Sequence, residues 1–231
     1  MTGWLASIID IEEARLALAN GAHIIDAKNP HAGALGALSH ATVRAIVAEV
    51  AGRVPVSATI GDFTTMEPLA VTGAVAEMAA TGVDFVKIGL FPSPALADCL
   101  DALAPLARQY CLVAVLFADR SPDLQLPTRL AAIGFNGVML DTVDKTGSGL
   151  LAHQPMARLA EFVEQARYLH LLSGLAGSLK LADIPILMPL RPDYLGFRGA
   201  LCHGHTRTHT LNTSAMATLA KAMEKQAALE R

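Results

Sequence analysis

"HIIDAKNPHAG", residues 23–33, sets an acid and a lysine at the end of an apolar run. Read as a strand, it points Ile24, Asp26 and Lys28 to one face, because strand side chains alternate with a period of two. The Asn29–Pro30 pair then stops the strand, since proline has no amide hydrogen and pushes the residue before it away from helix. Opposite charges at the end of a buried strand are costly unless they are paired or used. Delivering chemistry to the carboxyl ends of strands is the habit of an α/β barrel.

The rest of the chain follows the same plan. Short apolar runs predict strands near 4–8, 23–27, 54–59, 84–88, 110–117, 137–141, 170–175 and 194–198. Alanine-rich helical patterns fall near 11–20, 40–51, 67–81, 95–108, 125–133, 155–168, 180–190 and 213–229. Pro185 and Pro189 restrict the seventh helix to short pieces. Eight strand–helix units with no second composition zone predict a single-domain (β/α)8 TIM barrel over residues 1–231. A doubly wound open sheet is the competing architecture.

Composition agrees. The 231 residues are 52% hydrophobic and 17% charged, with 18 glycines, so a substantial core is expected. A net charge of −3 supplies no field for nucleic acid or an anionic membrane. The longest apolar run, "YCLVAVLFA", is too short to span a bilayer, and the N-terminus lacks a basic leader. Cys99, Cys111 and Cys202 are odd in number and lack CxxC spacing, which points to a reduced, cytoplasmic setting. The sequence leaves the oligomeric state open, a homo-oligomer included.

Walking the strand ends collects the candidate chemistry. Strand two ends at Asp26 and Lys28. Strand three puts Ser57 and Thr59 on one face, with Asp62 just beyond. Strand four aims Lys87, strand five puts Asp119 in line with Val115 and Phe117, and strand six ends at Asp141 with Lys145 four residues on. The chain has six lysines against twelve arginines, and Lys28, Lys87 and Lys145 all fall at or just after strand ends. One such lysine reads as a snorkelling or salt-bridged side chain. Three on one rim, with Asp26, Asp119 and Asp141, read as a catalytic amine cluster. Burial and a neighbouring cation disfavour the ammonium form and release a nucleophilic amine for Schiff-base chemistry.

"GLAGSL" (174–179) and "GFRGALC" (196–202) follow the last two strands. Glycine-rich turns opening onto helix starts present N–H groups to an anion, and this is the usual phosphate site of such barrels. Gly177, Ser178, Arg198 and Gly199 are the expected phosphate contacts, with Ser178 and Arg198 as side-chain donors. Ser57 and Asp119 are the other expected substrate contacts. "CHGHTRTH" groups Cys202, His203, His205 and His209 but offers no spaced second pair for zinc, so neither metal nor cofactor is expected.

With these motifs in place, the chain resembles the (5-formylfuran-3-yl)methyl phosphate synthase family, whose product belongs to methanofuran-type cofactors. The resemblance runs through "DIEEA", "GAHIIDAKNP", "GALG", "VSATIGD", "VKIGL", "MLDTVDKTG", "GLAGSL" and "DYLGFRGALC" in order. It implies a (β/α)8 lyase that joins two glyceraldehyde 3-phosphate molecules with loss of phosphate and water. It implies the Schiff base on Lys28 in "DAKNP" and the proton acceptor on Lys87 in "KIGL", with Asp26, Asp141 and Lys145 in support. The chain departs from the family pattern at "CHGHTRTHT" (202–210), where a more glycine-rich and acidic stretch is expected before the arginine. The departure bears on any role assigned to Arg207 and leaves the lysines untouched.

Overall fold

The computed structural model describes residues 2–144 and 148–229. Eight parallel strands close into a barrel in sequence order. In chain order the elements are β1 (Gly3–Ile8), α1 (Ile11–Ala19), β2 (Ile24–Ala27), α2 (His40–Val50), β3 (Val56–Thr59), α3 (Pro68–Ala79), β4 (Phe85–Gly89) and α4 (Leu96–Ala107). There follow β5 (Leu112–Phe117), α5 (Leu126–Ile133), β6 (Gly137–Asp141), α6 (Leu150–His153), α7 (Met156–Tyr168), β7 (Leu172–Leu175), α8 (Ile184–Leu187), β8 (Tyr194–Phe197) and α9 (Thr213–Leu229). The strands start and end within two residues of their expected positions. The barrel closes, so the open-sheet alternative falls. No helix among the described residues is long and apolar enough to cross a membrane.

Local chemistry sets the helix ends. Asp10 and Ser39 cap α1 and α2 by accepting from the N–H groups of Glu13 and Thr42, which would otherwise lack partners. Gly134 ends α5 in the left-handed conformation (φ 101°). Between β7 and β8 the chain makes only the single turn of α8, flanked by 3₁₀ turns at Leu181–Asp183 and Met188–Leu190. Pro185 and Pro189 sit in the first turns of these pieces, where their missing N–H costs nothing, and prevent a longer helix.

At the amino ends of the strands a side chain repeatedly ties one strand to the next. The residue just before each even-numbered strand accepts the N–H of the first or second residue of the preceding odd-numbered one. His23 Nδ1 accepts from Trp4 (3.4 Å), and Asp84 from Val56 (2.7 Å). Asn136 accepts from Leu112 (3.1 Å) and Asp193 from Ser173 (2.7 Å). Each bond satisfies a buried backbone group and fixes the register of one strand pair.

The core lies in two shells. Ile25, Ala58, Val86, Ile88, Val138, Leu140 and Leu195 pack against helix residues such as Val43, Ile46, Val71, Leu103 and Phe162. Burying each large side chain contributes about 1.5–3 kcal/mol. Inside the barrel, Tyr194 occupies the space that a side chain at Gly174 would need, which explains a glycine in mid-strand there.

Candidate active site

The parallel register places Ser7, Asp26 and Ser57 in one row across β1, β2 and β3. Asp26 accepts the Ser7 hydroxyl on Oδ2 (2.9 Å) and the Ser57 hydroxyl on Oδ1 (2.6 Å). From β4, Lys87 Nζ reaches the same Oδ1 at 3.0 Å. Lys28 lies just past β2, where its N–H still bonds Ile8 O, and its Nζ pairs with Asp141 Oδ2 at 3.2 Å. Asp26, Lys28, Lys87 and Asp141 are all buried. Two amines and two carboxylates thus share one enclosed floor.

Electrostatics separates the members. Burial opposes the Asp26 charge, but Lys87, Lys28 and the Ser57 hydroxyl outweigh it and hold the carboxyl below its ordinary range. Burial also disfavours the Lys87 ammonium, and the Lys28 charge adds to this. Asp26 opposes both only in part, so Lys87 is pulled below the ordinary lysine range. Asp26 is flanked by two amines, whereas Lys87 must share its nearest anion. That asymmetry lowers both groups, so that the Asp26 carboxyl and the Lys87 ammonium each release a proton more readily than the free side chains do.

Above this floor opens a cavity of about 710 Å³ lined by Ser7, Asp26, Lys28, Lys87 and Asp141, and by the loops after β7 and β8. Gly177 (φ 110°) and Ser178 (φ 51°) are successive left-handed residues, which turns neighbouring N–H groups to one side. No described residue accepts the backbone N–H of Gly177, Ser178, Leu179, Gly199 or Ala200. Gly177, Ser178, Leu179, Gly199 and Ala200 all line the cavity. The two loops form a cradle of free donors of the kind that holds a phosphate.

Three expected contacts turn elsewhere. Ser57 gives its hydroxyl to Asp26 and is absent from the cavity wall. Asp119 accepts the backbone N–H groups of Val143 and Asp144, both at 2.8 Å, and so braces the loop after β6 instead of facing substrate. Arg198 spends all five N–H groups within the chain. Nε donates to Arg207 O, Nη1 to Ser7 O and Glu13 Oε2, and Nη2 to Glu13 Oε1 and His209 O. Its side chain is a structural clamp, not the phosphate donor expected of it, although its segment still borders the cavity. Lys145 lies outside the described residues. The histidines part company: His203 Nδ1 accepts from Asn212, His209 Nδ1 lies 3.1 Å from His203 O, and His205 lines the cavity.

Two further residues near the site received no role from the sequence reading. Glu13 is buried and takes N–H groups of Ile9 and Leu211 besides Arg198. Its signal was present in "DIEE", the acid–x–x–glutamate spacing of a helix start. Arg207 lines the cavity with Nη2 on Gly33 O at 3.2 Å, a position set by the fold of a long loop that no periodicity announces.

The model of the 4-HFC-P synthase family matches residues 4–220. The chain belongs to this family. A Methylorubrum extorquens relative assigned to the same synthase is 48% identical over 221 residues, covering 95% of this chain and 90% of the relative. The (5-formylfuran-3-yl)methyl phosphate synthase of Methanosarcina mazei is 37% identical over 216 residues, covering 88% and 92%. Among solved structures, 3-hexulose-6-phosphate synthase from Salmonella typhimurium superposes with a TM-score of 0.66 at 15% identity, covering 100% of both chains. That likeness shows the barrel alone. The 4-HFC-P synthase family membership makes the chain an enzyme with a small-molecule substrate, and the buried amine cluster lies within the matched span.

Proposed function

We propose that the site condenses two glyceraldehyde 3-phosphate molecules into (5-formylfuran-3-yl)methyl phosphate, as a carbon–oxygen lyase working through an imine on Lys28. The observation that carries this reading is the pair of buried amines, Lys28 and Lys87, on either side of Asp26 beneath a cradle of free N–H groups. Beyond the furan product, two triose phosphates hold the atoms of one phosphoric acid and two waters, so the reaction needs no redox partner.

The roles follow from position. The cradle at Gly177, Ser178, Leu179 and Gly199 holds one phosphate and seats its carbonyl over Lys28. Lys28 attacks that carbonyl, water leaves, and the imine makes the adjacent carbon acidic. Lys87, favoured as a neutral amine by its burial, takes the proton, and the electron pair left on carbon attacks the second aldehyde. Asp26 holds Lys87 in place, and Asp141 holds Lys28 until substrate arrives. Lys145 joins the proposal as a further proton carrier, on the strength of the family motif.

The test is incubation with glyceraldehyde 3-phosphate alone, following furan absorbance and released phosphate together. Borohydride added during turnover adds triose mass to the peptide containing Lys28. Lys28→Arg loses both signals, because a guanidinium stays charged and is no nucleophile. Labelling on Lys87 instead would reverse the assignment of the two amines.

A further inference from the structure

We infer that Arg207 holds the phosphate of the second triose, and that the Glu13–Arg198 pair exists to present it there; this rests on the condensation proposed above. Two phosphorylated substrates bring two dianions into one cavity. The N–H cradle, built from the loops after β7 and β8, accounts for one of them. A second anion needs a separate positive group on another side of the floor.

Among the described residues, the lysines and arginines lining the cavity are Lys28, Lys87, Lys180, Arg198 and Arg207. Lys28, Lys87 and Arg198 are already paired with Asp141, Asp26 and Glu13. Lys180 directly follows the cradle residues Gly177, Ser178 and Leu179 in the chain, on the side of the first phosphate. Among the described cations, Arg207 is the one that reaches the other side, since its Nη2 bonds Gly33 O in the loop after β2, the strand that leads into Lys28. Its remaining guanidinium donors have no partner among the described residues. Burial disfavours its charge, Asp141 restores part of it, and an incoming dianion would complete the compensation.

Its placement is built, not incidental. Residues 202–211 form a strap closed by an antiparallel bridge between Cys202 and Leu211. Arg198 fastens the strap through Arg207 O (2.8 Å) and His209 O (2.9 Å), and Glu13 fastens it through the N–H of Leu211 (3.2 Å). The buried ion pair thereby fixes the backbone from which Arg207 extends over the cavity.

Two measurements on Arg207→Ala decide the matter: half-saturation of borohydride trapping on Lys28, and the KM for glyceraldehyde 3-phosphate in furan formation. Trapping needs one triose and should be unchanged, while the KM should rise by tens of fold, the scale of one lost charge-assisted contact. Arg207→Lys should recover part of the loss. The thermal midpoint should move little, since the hydrogen bond removed with the side chain, to Gly33 O, is an exposed one between two loops. Equal weakening of trapping and turnover would give Arg207 to the first triose, and no change in either would remove it from the site. A wild-type enzyme that traps triose but forms no furan would refute the condensation instead, and with it the need for a second anion site.

Discussion

Lys87 Nζ lies 3.0 Å from Asp26 Oδ1, with side chains only 2% and 1% exposed. Each group sets the protonation of the other. Asp26 favours the ammonium of Lys87, while burial and the charge of Lys28 oppose it and prevail.

Activity should therefore rise with pH along a limb set by Lys87, below the ordinary lysine value of about 10.4. Asp26→Asn removes the anion that supports the ammonium, so the limb should move to lower pH, by about 1 unit or more. A pH–rate profile of wild type and variant checks this. Movement to higher pH would mean that the limb belongs to another group. For stability the sign is opposite: the Asp26 pKa is lowered by folding, so its stabilisation is complete at neutral pH and fades as acid protonates it.

Lys87→Met should lower the turnover number by about 10²–10⁴-fold, the usual worth of a positioned acid–base group. Borohydride trapping on Lys28 should persist, because imine formation does not need that proton acceptor. Single-turnover assays with and without reductant separate the two steps.

Arg198→Ala should destabilise the protein by about 3–5 kcal/mol, because it leaves Glu13 buried without its cation. Glu13→Gln in the same chain should restore part of the loss, since a neutral amide tolerates burial far better. Denaturant midpoints for the single and double variants measure both effects.

Asp84→Ala strips the acceptor from the N–H of Val56 at the base of the barrel. A buried donor left unmet costs about 1–3 kcal/mol. The loss should appear in thermal unfolding while the KM stays constant, because the amine cluster lies at the opposite ends of these strands.

Much of this was legible in the sequence because period-two runs ending in charge mark strands and their working ends together. Asp26, Lys28, Lys87 and Asp141 lie where alternation puts them, and the glycine turns at 177 and 199 border the cavity. Parity fails at Ser57, Asp119 and Arg198, because it gives the face of a side chain and not the partner that will claim it. Ser57 is claimed by Asp26 one strand away, Asp119 by backbone at 143 and 144, and Arg198 by Glu13, 185 residues away. Such partners meet only after the ring closes. Arg207 was hidden for the same reason, since a strap with no periodicity carries it.

The four ties at the base of the strands divide the ring into four stapled couples, and the chemistry is dealt out among them unevenly. The first couple carries Ser7, Asp26 and Lys28, the second Ser57 and Lys87, the third Asp141, and the last the phosphate cradle. The amines come from two neighbouring couples and Lys28's carboxylate partner from a third. No half of the ring, as an excised fragment, would keep both amines, both carboxylates and the cradle. Split between β4 and β5, one half retains both lysines and Asp26 but loses Asp141 and every cradle N–H. Furan formation by mixed halves, absent from either half alone, would therefore be a direct signal that the two pieces had found each other and re-formed the ring.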